Sequence, residues 1–181
     1  MHIELPPSGP AVWPLAMLAP GPFPVHQPDS RSGGPKRAVV LAIEDNRADV
    51  IMIQEAIARH KLEIDLHVID DGGKAFDFIR DAEAGTSHLP QPDLIMLDQN
   101  LPKRSGREII ERLRKSEKFA DVPVLVVSSS NSEADKRDLA AAGANRYFHK
   151  PPSYDDYLKL GDVLRDLLRK NENFAPDSLA E

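Results

Sequence analysis

Five short apolar runs alternate with five amphipathic segments between residues 37 and 170, and this alternation limits the fold more than any other feature of the sequence. The runs are rich in β-branched and aliphatic residues, which is typical of strands buried on both faces. They are RAVVLAI (37–43), IDLHVI (64–69), DLIML (93–97), PVLVVS (123–128) and NRYFH (145–149). Between and after them, helices are predicted near 47–60, 74–84, 105–116, 132–143 and 153–170.

This strand–helix alternation predicts an α/β fold, because right-handed crossovers between parallel strands place helices on both faces of the sheet. With five strands we expect a flavodoxin-like, doubly wound parallel sheet with strand order 2-1-3-4-5. Such sheets carry their functional site at the carboxyl ends of the strands, beside the switch point between strands 1 and 3. Ser132 and Asp135 predict the start of the fourth helix as a capping box, and Gly143 predicts its end. The pair Gly72-Gly73 is expected to break the chain before the second helix.

The first 36 residues have a different composition from the rest of the chain. They hold nine of the sixteen prolines, at positions 6, 7, 10, 14, 20, 22, 24, 28 and 35. Proline removes a backbone donor and fixes φ, so this segment is expected to lack helices and strands. We therefore predict a Pro-rich, disordered N-terminal extension over 1–36, one domain over 37–170 and a C-terminal tail over 171–181.

Charge and composition exclude several classes of function. The net charge is −6, and residues 1–36 contribute none of it, so the domain itself is acidic and poorly suited to general nucleic-acid binding. The chain has no cysteine, which excludes disulfides and thiolate metal sites. No apolar run reaches the ~18–20 residues that span a bilayer, and no cationic segment precedes the apolar patch at 11–19. We expect a cytoplasmic protein without membrane or nucleic-acid partners.

Polar side chains cluster where the predicted strands end. Strand 1 is followed by Glu44-Asp45 and strand 3 by Asp98, strand 4 ends in Ser128, and strand 5 is followed by Lys150. Strands 1 and 3 are neighbours in the predicted order, so three carboxylates converge and repel one another unless a cation lies between them. Mg²⁺ suits a site of carboxylates, a carbonyl and water. Carboxylates, a lysine, a hydroxyl and magnesium together fit phosphoryl transfer to an aspartate.

Each of these residues also has a purely structural interpretation. Asp45 or Asn46 is a suitable cap for the first helix, and an isolated Asp98 is more often a turn residue. Lys150 before a proline fits a solvated strand end, although its spacing of 22 residues from Ser128 favours a shared site. Tyr147 on the last strand is as readily explained by packing as by function.

The motifs together resemble the receiver domain of two-component response regulators, the CheY-like fold, over residues 37–170. They are AIEDN (42–46), LIMLDQNLP (94–102) with Gly106, VVSSS (126–130) and AAGANRYFHKP (141–151). Within this family, EDNRADV, LDQNLPKRSGREI and the insert around 84–92 are similar to single-domain regulators paired with phytochrome-type histidine kinases. The sequence departs from the family pattern at two places. Residue 128 is Ser rather than Thr, which keeps the hydroxyl. The sequence KPPS, beginning at Lys150, lacks an apolar residue common in relatives, which leaves in doubt the partner of the surface formed by helix 4, strand 5 and helix 5.

The resemblance implies a role for each site residue. Asp98 accepts a phosphoryl group from a sensor histidine kinase. Mg²⁺ is held by the side chains of Glu44, Asp45 and Asp98 and by the backbone carbonyl of Asn100. Lys150 pairs with the phosphoryl oxygens, and Ser128 bonds one of them. Tyr147 changes rotamer with Ser128 on activation, and Asn100 and Ser130 stand where the family tunes dephosphorylation.

The resemblance predicts a phosphorylation-controlled signalling switch and not an enzyme, apart from the domain's own phosphorylation and dephosphorylation. No segment fits an output domain, so signalling is expected through protein contacts with a downstream target that the sequence does not identify. Family members often form homodimers through helix 4, strand 5 and helix 5, or through an extension beyond that face. The sequence leaves open whether this chain forms a homodimer and through which surface.

Two other classes of function remain open. A nucleotide-dependent enzyme is disfavoured because neither phosphate-binding glycine motif is present, and an aspartate-nucleophile phosphatase because residue 100 is Asn rather than a second acid. A phosphorylation-independent interaction scaffold is disfavoured because the acid pair, Asp98, Ser128 and Lys150 are all present.

Overall fold

The computed structural model describes residues 37–170. The predicted N-terminal extension over 1–36 and the predicted tail over 171–181 lie outside the described residues. Within 37–170, no helix is both long and apolar enough to cross a membrane.

A five-stranded parallel sheet forms the centre of the domain, and the predicted order 2-1-3-4-5 is confirmed. The strands are β1 Ala38–Ile43, β2 Ile64–Ile69, β3 Leu94–Asp98, β4 Val124–Ser128 and β5 Arg146–His149. Every residue of β3 and of β4 is buried, as expected for central strands covered on both faces. Asp98 is the last residue of β3 rather than the first residue beyond it, and Ser128 ends β4 as predicted.

Within residues 37–170, six helices cover the sheet. They are α1 Arg47–Arg59, α2 Gly72–Ala84, α3 Gly106–Arg114, α4 Glu133–Ala142, α5 Tyr154–Leu158 and α6 Leu160–Lys170. Apolar residues of α1, α5 and α6 pack in one core cluster, and those of α2, α3 and α4 pack in a second cluster. We name the two sides of the sheet the α1 face and the α4 face after these groups. Helices on both faces confirm the predicted doubly wound architecture.

The predicted last helix over 153–170 is wrong in one respect, since it is interrupted at Lys159 and forms α5 and α6. The Lys159 amide donates to Asp156 O at 3.2 Å and the Asp162 amide donates to Lys159 O at 3.1 Å, so the chain tightens into i→i−3 bonding there. Gly161 is the second residue of α6. A Cβ at that position would lie 2.2 Å from Cδ2 of His60, so α6 begins in close contact with the end of α1.

Two expectations for helix starts also differ from the structure. The pair Gly72-Gly73 forms the first turn of α2 instead of breaking the chain, because Asp71 caps the helix by accepting from the Lys74 amide at 2.8 Å. Ser132 caps α4 as predicted and Gly143 ends it. However, the Asp135 carboxylate accepts from Ser130 Oγ rather than closing the capping box onto Ser132.

Candidate functional site

The alternation of side chains along the strands divides the carboxyl edge of the sheet into two groups. Along β3, Leu94 and Met96 belong to the core of the α1 face, whereas Ile95 and Leu97 belong to the core of the α4 face. With a period of two, Asp98 continues on the α1 face and Gln99 on the α4 face. The same alternation places Glu44 and Lys150 on the α1 face, and it places Ser128 and Tyr147 on the α4 face.

Lys150 lies at the centre of the group on the α1 face. Its Nζ is 2.8 Å from Glu44 Oε2, 2.9 Å from Asp49 Oδ2 and 2.8 Å from Asp98 Oδ1. An ammonium has three donors, so each N–H meets a different carboxylate. Burial works to lower the pKa of Lys150, but the hydrogen bonds that its ammonium donates to Asp49, Asp98 and Glu44 outweigh it and raise the pKa above its ordinary value. Lys150 is therefore a permanent cation in this cluster.

The carboxylates around Lys150 differ in exposure. Glu44 is 3% exposed and Asp98 is 7% exposed, whereas Asp45 faces solvent. Burial raises the pKa of Glu44, although Lys150 partly offsets this effect. Glu44, Asp45 and Asp98 each offer an oxygen, and these oxygens lie within 4.8 Å of one another. A cluster of hard oxygen donors with one open, solvated side fits a hydrated divalent cation such as Mg²⁺.

Backbone amides fix the orientation of the two buried carboxylates. The Asn100 amide donates to Asp98 Oδ2 at 2.6 Å, and the Asn46 amide donates to Glu44 Oε1 at 3.1 Å. The loop after β3 returns closely on itself, since the Gly106 amide donates to Gln99 O at 3.2 Å. A Cβ at Gly106 would lie 3.1 Å from Asp98 O, which explains why the smallest residue begins α3.

The group on the α4 face is built around Ser128, which is fully buried. Ser128 Oγ donates to Gln99 Oε1 at 3.0 Å and accepts from the Ser130 amide at 3.1 Å. Tyr147 Oη donates to the Ser130 carbonyl at 2.6 Å. Hydrogen bonds from Ser130 and Gln99 lower the pKa of Asp135. The hydroxyl of Ser128 is thus hydrogen-bonded to Gln99, and Ser128 is linked through Ser130 to Tyr147.

Sequence reasoning missed three residues of these two groups, which are Asp49, Gln99 and Asp135. Asp49 lies in the first turn of α1, so its position just past the end of β1 was a usable signal. Gln99 follows Asp98, and strand periodicity alone predicts that it points to the opposite face. Asp135 was read as part of a capping box, and its contact with Ser130 depends on a loop conformation that the sequence does not reveal.

A further contact anchors the loop that follows β3. Lys103 Nζ is 2.7 Å from Asp71 Oδ2, and the Gly72 amide donates to the Pro102 carbonyl at 3.2 Å. Hydrogen bonding to Lys103, together with the Lys74 amide, lowers the pKa of Asp71. A Cβ at Gly72 would lie 2.6 Å from Arg104 O, so the two loops are in direct backbone contact. The segment next to Asp98 is therefore attached at its far end to the start of α2.

The sequence profile described as "Response regulator receiver domain" matches residues 40–160. The "Response regulator Rcp1" of Synechocystis sp. is 31% identical over 122 residues, which cover 67% of this chain and 82% of that protein. The "Probable methanogenesis regulatory protein FilR2" of Methanothrix harundinacea is 30% identical over 128 residues, which cover 71% of this chain and 81% of that protein.

Solved structures show the same similarity. The Mn²⁺-bound form of response regulator Rcp1 superposes with a TM-score of 0.63 at 30% identity, covering 71% of this chain and 92% of that one. The phosphorylated cyanobacterial phytochrome response regulator RcpA gives a TM-score of 0.67 at 28% identity, covering 74% of this chain and 95% of that one.

Proposed function

Because the chain belongs to the response regulator receiver domain family, we propose that it is a phosphorylation-controlled signalling switch whose phosphoacceptor is Asp98. The observation that carries this proposal is the contact of Lys150 with Asp98 at 2.8 Å, inside a cluster of acids at the carboxyl end of the sheet. An ionised carboxylate is a competent phosphoryl acceptor, and a neighbouring cation offsets the charge that the transfer adds.

In the proposed reaction, an Asp98 oxygen forms a bond to the phosphorus of a phosphohistidine on a sensor histidine kinase. The P–N bond breaks and its electron pair remains on the imidazole nitrogen. The Asn100 amide holds one Asp98 oxygen at 2.6 Å, so the carboxylate is oriented before the donor arrives. Lys150 exchanges its contact with Asp98 Oδ1 for a phosphoryl oxygen, and Asp49 continues to hold the ammonium.

The side chains of Glu44, Asp45 and Asp98, with the backbone carbonyl of Asn100, would hold Mg²⁺. Bound there, the ion neutralises charge on the phosphoryl oxygens during transfer. The solvent-facing position of Asp45 supports this assignment, because Mg²⁺ retains water ligands.

The phosphorylated state differs from the resting state through Ser128 and Tyr147. Ser128 would donate its hydroxyl to a phosphoryl oxygen, and Tyr147 would change rotamer as Ser130 moves with it. Asn100, whose amide contacts Asp98, and Ser130, whose amide contacts Ser128, would set the lifetime of the aspartyl phosphate by controlling the approach of water. The output is a changed surface for protein contacts rather than turnover of a substrate.

We further propose that the kinase partner is of the phytochrome type, since RcpA is a phytochrome response regulator. The similarity to RcpA covers 74% of this chain and 95% of that one, so it extends over nearly the whole of RcpA. Phosphotransfer from a panel of purified histidine kinases tests this assignment, and preferential transfer from a kinase without a phytochrome sensor would contradict it.

Treatment with Mg²⁺ and a small-molecule phosphodonor tests the acceptor itself. Intact-mass spectrometry should show one added phosphoryl group that base removes, and Asp98→Asn should abolish it. Asp70→Asn is the matched control, because Asp70 also follows a strand at this edge but is exposed and forms a surface ion pair with Lys74. Equal labelling of Asp98→Asn would refute the assignment, and unlabelled wild-type protein would favour the scaffold alternative.

A further inference from the structure

Gln99 belongs to the group on the α4 face by its side chain and is joined by a peptide bond to Asp98 of the group on the α1 face. It directly follows Asp98, yet strand periodicity directs its side chain to the α4 face, where Oε1 accepts the Ser128 hydroxyl at 3.0 Å. A serine hydroxyl has one hydrogen to donate, so it cannot serve Gln99 and a phosphoryl oxygen on Asp98 together. Ser128 is fully buried, so water does not readily replace a lost hydrogen-bond partner of its hydroxyl, and the loss costs free energy.

Gln99 and Asp135, a residue in the first turn of α4, line the same pocket. Hydrogen bonding to Gln99, in addition to Ser130, holds the pKa of Asp135 below its usual value. Asp135 Oδ2 accepts from Ser130 Oγ at 2.7 Å, and its amide donates to the N-cap residue Ser132 at 3.2 Å. The Gln99 side chain therefore lies between the Ser128 hydroxyl and the first turn of α4.

We propose that Gln99 is a positioning residue that holds the Ser128 hydroxyl on the α4 face in the resting state and couples its release to the first turn of α4. This inference rests on the proposed function, because it requires Ser128 to leave Gln99 for a phosphoryl group on Asp98. Gln99 stabilises the resting state and so opposes the phosphorylated one. On release, Gln99 Oε1 loses the Ser128 hydroxyl, and the Gln99 side chain, which lies beside Asp135, is free to move together with the start of α4.

The sign of the effect follows from the number of donors and acceptors. Without an acceptor at position 99, the hydrogen of the buried Ser128 hydroxyl loses its acceptor in the resting state but has one in the phosphoryl-bound state. A neutral hydrogen bond of typical net strength corresponds to about a three- to tenfold change in an equilibrium constant. The variant Gln99→Leu, which has nearly the same shape, should therefore bind a phosphoryl analogue about three- to tenfold more tightly than wild type.

The experiment measures the dissociation constant for beryllofluoride, an anion that mimics a phosphoryl group on a carboxylate, by calorimetry at saturating Mg²⁺. Four proteins form a double-mutant cycle, namely wild type, Gln99→Leu, Ser128→Ala and the double variant. The tightening caused by Gln99→Leu should vanish in the Ser128→Ala background, because the hydroxyl that it releases is gone. Affinity for Mg²⁺ alone should be the same in wild type and Gln99→Leu.

A second variant separates the hydrogen bond from packing and charge. Gln99→Glu keeps an acceptor oxygen for Ser128 but places a negative charge beside Asp135, so it should not tighten beryllofluoride binding. The backbone amide of Ser130, followed by ¹⁵N NMR, should shift toward its beryllofluoride-bound position in Gln99→Leu and not in Gln99→Glu.

The outcomes distinguish the inference from the proposed function. Beryllofluoride binding to wild type with an unchanged affinity in Gln99→Leu would overturn the inference alone. Tightening that persists undiminished in the Ser128→Ala background would also overturn it, since the effect would not pass through the hydroxyl. A wild-type protein that binds no beryllofluoride with Mg²⁺ would overturn the proposed function and the inference with it.

Discussion

Replacing Lys150 with methionine removes the only cation that contacts Glu44, Asp49 and Asp98 within the described part of the chain, at 2.8–2.9 Å from each. Methionine has a similar length and no charge, so the change leaves three carboxylates facing one another. The lysine side chain is 11% exposed, and the Glu44 and Asp98 side chains are 3% and 9% exposed. These exposures place the cluster close to the regime of buried ion pairs.

Breaking a buried ion pair by removing one partner costs about 3–5 kcal/mol. We take about 3 kcal/mol from the lower end of that range, since the Asp49 side chain is 22% exposed and water reaches part of the cluster. Residues 37–170 imply an unfolding entropy of about 0.28 kcal/mol/K for the domain. The expected result is a fall in Tm of about 11 °C for metal-free Lys150→Met.

The assay is thermal unfolding followed by circular dichroism, first with EDTA and then at saturating Mg²⁺. A divalent cation bound by Glu44, Asp45 and Asp98 supplies the positive charge that the lysine gave up. The difference in Tm between variant and wild type should therefore shrink strongly in Mg²⁺. Lys159→Met is the matched control, because Lys159 pairs with Asp156 on the surface, and its Tm should stay close to wild type in both buffers.

Two results would refute this reasoning. An equal loss of Tm with and without Mg²⁺ would mean that the lysine stabilises the domain by packing rather than by neutralising the acids. An unchanged Tm in EDTA would mean that the carboxylates carry no mutual repulsion in the folded state.

Two further predictions concern stability. Gly161→Ala should lower the free energy of unfolding by about 1–3 kcal/mol, because the new Cβ would lie 2.2 Å from His60 Cδ2 and 2.9 Å from Ala56 O. This loss should exceed the gain from the better helix propensity of alanine. Urea titrations measure the difference, and a variant more stable than wild type would show that the Cβ is accommodated without cost. Burial raises the pKa of Glu44, so its stabilising contribution is complete below its unfolded pKa and lost as the pH rises through its folded pKa. In EDTA, the stability of wild type relative to Glu44→Gln should therefore fall from acid to neutral pH, and a constant difference across that range would disprove it.

The fold could be predicted because its signals are local and repeated. Apolar runs such as 93–97 and 123–128 are buried along their whole length, which is the pattern of a central parallel strand. Once the strand order is known, the ends of strands 1, 3, 4 and 5 must meet at one edge, and this places Glu44, Asp98, Ser128 and Lys150 near each other before any coordinates exist.

The pairing inside the site could not be predicted in the same way. The motif spacing predicts that Lys150 and Asp98 lie close together. The contact of Asp49 with the same ammonium depends on the rotation of α1 about its axis, which the motif spacing does not reveal. The interruption at Lys159 was missed because apolar residues continue at helical spacing across it, and a change from i→i−4 to i→i−3 bonding leaves no mark on that pattern.

The contact between Lys150 and Glu44 spans 106 residues of sequence, and that between Lys150 and Asp98 spans 52. Chains are synthesised from the N-terminus, so the acidic cluster exists for a time before its lysine has left the ribosome. Until β5 docks at the edge of the sheet, the nascent domain carries uncompensated negative charge at the ends of β1 and β3. Ionic conditions during translation, above all the free Mg²⁺ concentration, should therefore govern how fast the central strands become stable in the growing chain.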